Sequence, residues 1–231
     1  MSDRRDIQRL REEYRARDER VENSERYSLS NLSYVFMLQQ REWEILRLLR
    51  QNGLIDLKGK HILEIGCGKG AVLQDFVRYG AAPHKLFGVD LLFDRLMTAQ
   101  HALPSAQFAN ADGQRLPFPS EQFDLLLQFT AFSSILDPEI KNRMAGEMLR
   151  VLKPGGATLW YDFWLNPTNP QTAGIRLREI RQMFPGCTLS FRKITLAPPI
   201  SRRLVPISKP LAILLESLRI FNSHYLVLIK K

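Results

Sequence analysis

Apolar residues along this chain recur in two rhythms. In the first fifty residues they fall three, four or seven apart: Ile7, Leu10, Tyr14 and Val21, then Val35, Leu38, Trp43, Ile45, Leu46 and Leu49. The first set predicts an amphipathic helix over residues 3–26, with a narrow apolar stripe on a densely charged segment. The second predicts a stronger helix from Leu32 to Gln51, closed by Asn52-Gly53. Between them, Tyr27-Ser-Leu-Ser-Asn31 reads as a break ending in N-cap residues.

From Lys60 the rhythm changes to short apolar runs alternating with helical patterns. Strands are predicted at His61–Ile65, Lys85–Asp90, Ala106–Ala109, Phe123–Phe129 and Ala157–Phe163. Helices are predicted at Ala71–Tyr79, Phe93–Ala102 and Pro138–Leu152, with Lys153-Pro-Gly-Gly156 turning into the strand that follows. Such alternation argues for a mainly parallel, doubly wound sheet, and the near-continuous apolar runs suit strands covered on both faces. Beyond Phe163 the texture loosens. A loop at Asn166-Pro-Thr-Asn-Pro170 precedes a basic helix, Ile175–Phe184, and an alternating strand, Thr188–Leu196. Ala197-Pro-Pro199 opens an insertion with one short helix, Leu211–Phe221, before a last strand, Tyr225–Ile229.

A chain of 231 residues, 45% apolar and 25% charged, can bury one substantial core. No apolar run approaches the eighteen or so residues of a membrane span; the densest, Leu211 to Leu218, is interrupted by Glu216. The charged N-terminus does not read as a signal peptide, and Cys67 and Cys187 form neither a metal-ligand spacing nor a disulfide framework. A cytoplasmic protein without a metal is expected. The net charge of +9 is unevenly placed: residues 171–231 carry eleven basic and two acidic residues, whereas the rest of the chain is balanced. The C-terminal quarter is therefore expected either to meet an anionic partner or to present a solvated basic face.

The chemistry centres on His61-Ile-Leu-Glu-Ile-Gly-Cys-Gly-Lys-Gly70, a strand that breaks into glycines and continues as a helix. That arrangement brings backbone close to a ligand at the carboxyl edge of a sheet. The dinucleotide spacing Gly-x-Gly-x-x-Gly fits only through Ala71, and no P-loop Lys-Ser/Thr follows. Asp90, ending the next strand, offers a carboxylate for ribose hydroxyls, and Asp112 offers another at the third strand's end for an exocyclic amine; both could also be plain strand-end caps.

With Leu63-Glu-Ile-Gly-Cys-Gly-Lys-Gly70, Gly88-Val-Asp90, Ala111-Asp112, Leu116-Pro-Phe118, Phe123-Asp124 and Leu149-Arg-Val-Leu-Lys-Pro-Gly-Gly156 in this order, the chain resembles the class I S-adenosylmethionine-dependent methyltransferases, in particular their small-molecule members. The resemblance is close over residues 55–163. It implies a Rossmann-like α/β fold: a doubly wound seven-stranded sheet, mostly parallel with the last strand antiparallel. Residues 1–52 would be an N-terminal helical lid, residues 53–231 the methyltransferase domain, and residues 164–223 would include a substrate-binding insertion. It further implies S-adenosylmethionine as cofactor, with Glu64, Gly66, Cys67 and Gly68 at its methionine end. Asp90 and Leu91 would meet ribose and adenine, Asp112 and Gly113 the adenine edge, and Gln128 would line the site near the sulfonium or be a polar residue at the edge of the core.

A hydroxyl acceptor needs a general base. Asp162, at the end of the fifth strand, and His224, before the last, are the leading candidates, ahead of Tyr161 and Tyr34. They favour O-methylation of a small or medium-sized natural-product or sugar-type acceptor, with Arg202, Arg203 and Lys209 placed to meet an anionic group. The fourth strand lacks the Asn/Asp-Pro-Pro-aromatic signature of nucleobase-amine enzymes, so a nucleic-acid substrate is not expected; a homodimer is compatible with the pattern. The rival reading is an RNA- or anionic-membrane-binding protein that uses the cofactor fold as a platform.

Overall fold

The computed structural model describes residues 2–22, 25–166 and 169–231, with side chains from Asp6 onward and none for residues 21–22. Val21 of the first apolar stripe, and Pro167 and Thr168 of the predicted loop, therefore lie outside the described side chains or residues. Two helices open the chain, α1 (Ser2–Glu22) and α2 (Leu32–Gln51). Asn31 caps α2 by accepting from the Ser33 and Tyr34 amides. The alternating part follows as β1 (Ile62–Ile65), α3 (Ala71–Arg78), β2 (Leu86–Asp90), α4 (Phe93–Ala102), β3 (Gln107–Asn110), β4 (Phe123–Phe129), α5 (Pro138–Val151) and β5 (Leu152–Phe163). It closes with α6 (Leu177–Met183), β6 (Thr188–Leu196), α7 (Pro198–Leu204), α8 (Lys209–Ser217) and β7 (Asn222–Lys230).

The seven strands form one sheet in the order β3-β2-β1-β4-β5-β7-β6. β1 to β5 pair in parallel, and β7 runs antiparallel to both β5 and β6. This is the doubly wound, seven-stranded arrangement expected from the sequence. One apolar layer, with Trp160, Phe132 and Phe184, lies on one face of the sheet, and a second, with Phe76, Leu125 and Leu226, on the other. Strand order reverses between β1 and β4, so the crevice at their carboxyl ends is where a ligand binds in such sheets.

Three boundaries differ from the sequence reading. The Lys153–Gly156 turn is absorbed into β5: Leu152 already pairs with Phe123, and a bulge carries the ladder past Gly155, whose φ is 73°. His224 stands inside β7 opposite Phe163 rather than before it. The insertion holds two short helices, not one, because Ser208 caps a new helix by accepting from Leu211 N, and Arg219 at φ 59° ends it before Phe221.

That insertion is fastened by a buried acid. Glu216 faces inward from α8 and accepts from the Thr195 amide at 2.9 Å, where Thr195 holds φ 66°. Burial pushes its carboxyl up to about 7. A pKa raised in the folded state means that ionisation costs stability: the contribution is intact below the unfolded value near 4.5 and is lost as pH rises through about 7. Chemical denaturation from pH 4.5 to 8 is therefore expected to show wild-type stability falling by about 1–3 kcal/mol from this group. Glu216→Gln, which keeps the acceptor but cannot ionise, should flatten that slope; an unchanged slope would remove Glu216 as its source.

Candidate active site

The glycine turn is pinned to the neighbouring strand. Gly66 N and Cys67 N both donate to Val89 O, at 2.8 and 3.0 Å, and Gly68 N donates to Asp90 Oδ2 at 2.8 Å. Gly66 holds φ 73°, and a Cβ there would meet Ala131 Cβ at 2.9 Å, so the position excludes every side chain. The second Asp90 oxygen accepts from Leu92 N at 2.9 Å. A carboxylate has about four lone-pair positions, so Asp90 can brace the turn and still accept from a ligand hydroxyl. Asp112 is similarly part-engaged, by the amide and side chain of Gln114 at 2.9 and 3.0 Å.

Beside this turn lies a cavity of about 240 Å³. Gly66, Asp90, Leu91, Asp112 and Gly113 line it together with apolar Ile65, Val89, Phe129 and Met144. Glu64 sits just behind this wall. It is buried, its Oε2 has no hydrogen-bond partner among the described residues, and burial together with the Asp90 charge drives its carboxyl well above the usual range. A buried carboxylate in that state is stabilised by a cation placed against it.

Helix α1 closes the cavity. Ile7, Leu10, Arg11, Tyr14 and Arg17 all reach it. The helix is held by Arg9 Nη2 on Ser134 O at 2.6 Å, by the Tyr14 hydroxyl on Ser134 Oγ at 2.9 Å, and by a two-pronged Arg95–Asp18 pair at 2.7 and 2.8 Å. The Arg95 guanidinium also covers the Tyr14 ring at 4.6 Å. Tyr14 belongs to the apolar stripe visible in the sequence; Arg95 and Arg17 carry no local signal, because only docking of α1 gives them their role.

A second, wider cavity of about 1000 Å³ adjoins the first at Arg17, which lines both. Its apolar wall includes Phe163, Trp164, Leu165, Pro198 and Phe221; Arg20, Arg26 and Arg202 stand around it with Glu13, which accepts from Arg20 Nη2 at 2.7 Å.

The remaining sequence candidates are placed elsewhere. Cys67 and Gly68 belong to the turn but not to the wall of either cavity. Gln128 is buried in the core and donates to Asp162 Oδ2 at 2.6 Å, away from both cavities. Asp162 itself is fully buried and accepts also from Ser133 N at 3.0 Å and Phe163 N at 2.8 Å. It therefore fastens the loop after β4, on which α1 docks, and lines neither cavity. His224 is equally unsuited. It lies stacked on Tyr161 with ring centroids 4.5 Å apart, bonded to Ser223 Oγ, and burial lowers its pKa to about 3. Tyr161 is spent on Thr195 Oγ1 at 2.9 Å. Neither leading base candidate lines either cavity: the sheet's carboxyl end places both polar side chains inside the core.

Residues 62–156 match the family model described as "Methyltransferase domain". The match spans about two fifths of the chain, and over it the chain is similar to a methyltransferase domain. S-adenosylmethionine is the cofactor this similarity indicates, and the cavity suits it: a backbone turn that no side chain can obstruct, two part-engaged carboxylates, and behind them a buried carboxyl group whose Oε2 has no hydrogen-bond partner among the described residues. The cavity is slightly smaller than the ~300–1,000 Å³ usual for ligand sites. Among solved structures, a SAM-dependent methyltransferase from Archaeoglobus fulgidus shares the fold, with TM-score 0.58 and 16% identity over 86% of this chain and 99% of that one. One from Mesorhizobium loti gives 0.58 and 19% over 82% and 97%. The chain is also 35% identical, over 55% of its length and 48% of the relative's, to a phthiotriol/phenolphthiotriol dimycocerosates methyltransferase of Mycobacterium ulcerans. It is 36% identical to a fatty-acid O-methyltransferase of Mycolicibacterium smegmatis, over 46% of this chain and 38% of that one. The chain thus spans about half the length, or less, of these curated relatives.

Two substitutions separate the roles assigned here. Asp90→Ala is expected to weaken S-adenosylmethionine binding about tenfold or more in calorimetry, since it removes a charge-assisted acceptor and loosens the turn; unchanged affinity would exclude Asp90 from the site. Asp162→Asn sets an amide against donors and should cost about 2–4 kcal/mol of stability. If Asp162 only positions the loop, the pH profile of turnover keeps its shape in that variant; loss of a basic limb would restore the general-base role.

Proposed function

We propose that the chain is an S-adenosylmethionine-dependent methyltransferase whose acceptor is a carboxylate at the end of an apolar chain, giving a methyl ester. The observation that carries this reading is the pair of adjoining cavities. The narrower is the cofactor's; the wider joins an apolar, aromatic wall to arginines and meets the narrower at Arg17. When bound, S-adenosylmethionine supplies an electrophilic methyl group. The protein's own work is then to hold the acceptor oxygen in line and to keep water out. Guanidinium groups bind a carboxylate through paired hydrogen bonds and keep it ionised, which suits an oxygen that must arrive as a nucleophile.

A carboxylate also needs no base: Asp162 and His224 line neither cavity, and Glu13, which lines the wide one, is paired with Arg20 at 2.7 Å. A carboxylate acceptor is already deprotonated at neutral pH, so nothing need take a proton from it. An alcohol or sugar hydroxyl would need a base within hydrogen-bond reach, and Asp162 and His224 are held in the core. Tyr14, the phenol nearest the cofactor cavity, is kept protonated by burial. The names of the two mycobacterial relatives, one of which refers to fatty acids, agree with a lipid-like acceptor. Residues 1–52 and the α7–α8 segment would form the lid over that acceptor, with α1 as the wall shared by both sites.

The test is methyl transfer from labelled S-adenosylmethionine to matched fatty acids and fatty alcohols, with products identified by mass spectrometry. Methyl esters from the acids alone are expected; methyl ethers from the alcohols would overturn the carboxylate reading. Arg202→Ala should raise KM for the acid about tenfold with little change in kcat, as expected when one charge-assisted bond to a bound anion is lost.

A further inference from the structure

The segment from Ala197 to Phe221 is built inside out for a water-soluble surface. On α8 the acid, Glu216, turns inward with Ala212, while Leu211, Ile213, Leu214 and, at the C-cap, Leu218 are exposed. An ordinary surface helix does the reverse. The flanking turns continue the pattern, with Ile207 83% and Ile220 70% exposed. Ser33 Oγ donates to Ser201 O at 3.1 Å and ties the start of α2 to α7, next to the exposed Leu32 and Leu29. Contiguous apolar exposure of this kind marks a surface that is covered in use.

The charges identify what covers it. Arg202, Arg203, Lys209 and Arg219 are all exposed, and the segment's only acidic residue is the buried Glu216. Apolar side chains ringed by cations, with no outward anion, match an anionic lipid surface, where the apolar groups enter the acyl boundary and the cations meet headgroups. A second copy of the chain fits poorly, because a twofold contact would set the same cations against one another. RNA would engage the cations but leave the leucines and isoleucines without a role.

We propose that the α7–α8 segment docks this protein on anionic membranes. Arg202, Ile220 and Phe221 belong both to this surface and to the wall of the wide cavity, so the docked protein presents that cavity to the bilayer. This last point rests on the acceptor reading above; the docking itself does not.

The experiment is co-sedimentation of the full chain with vesicles of phosphatidylglycerol and phosphatidylcholine in equal parts, against phosphatidylcholine alone, over a salt series. Binding to the anionic vesicles that weakens with salt is expected. Ile207→Ser with Leu214→Ser should lower the partition coefficient about tenfold or more, and Arg203→Glu with Lys209→Glu roughly thirtyfold or more. S-adenosylmethionine binding by calorimetry should be unchanged in both pairs, which shows that each still folds. No binding to anionic vesicles, or binding indifferent to the Ile207/Leu214 pair, overturns the proposal. So does a wild-type dimer dispersed by that pair, or tighter binding to single-stranded RNA that only the charge reversal abolishes. Neither acceptor nor methyl transfer enters the vesicle assay, so failure of the carboxylate reading leaves its result standing, and the reverse.

Discussion

The Asp90 carboxylate joins two backbones that the rest of the site depends on. One oxygen takes the Gly68 amide from the turn after β1, and the other takes the Leu92 amide at the start of α4. Both amides would otherwise be unpaired at the end of the sheet, where two parallel strands separate and their ladder stops. Because the same carboxylate lies on the cavity wall, the group that shapes the turn is also the one a ligand would meet. The cofactor wall is thus held by the ends of adjacent strands.

Everything that makes this protein particular is attached to that wall from outside. Helix α1 comes back over the crevice and is secured to the loop after β4 through Arg9, Tyr14 and Ser134, and to α4 through Asp18 and Arg95. The loop it rests on is in turn fixed by Asp162. A residue that in sequence looks like a base is in the structure bonded beneath the loop that seats α1. The same inversion occurs at Glu216, an acid that closes the core while apolar residues face out.

These two cases show where sequence reading stops. A carboxylate at a strand end is legible as a carboxylate near the ligand edge, but whether it points into the crevice or back beneath a loop depends on which donors the loop supplies. Asp90 and Asp112 meet amides at the rim and stay on the cavity wall; Asp162 meets Gln128 and Ser133 behind it.

By itself, the sequence determined the sheet, its alternation with helices, the glycine turn and the carboxylates that flank it. Those features depend on local periodicity, on φ values open only to glycine, and on motifs of fixed spacing, all of which short stretches of chain encode. Only the tertiary structure decided which side chains line the two cavities, that α1 closes the narrower one, and that α8 turns its acid inward. Each of those outcomes is a contact between segments tens to more than a hundred residues apart, and burial and hydrogen-bond supply at such contacts are set by the assembled fold.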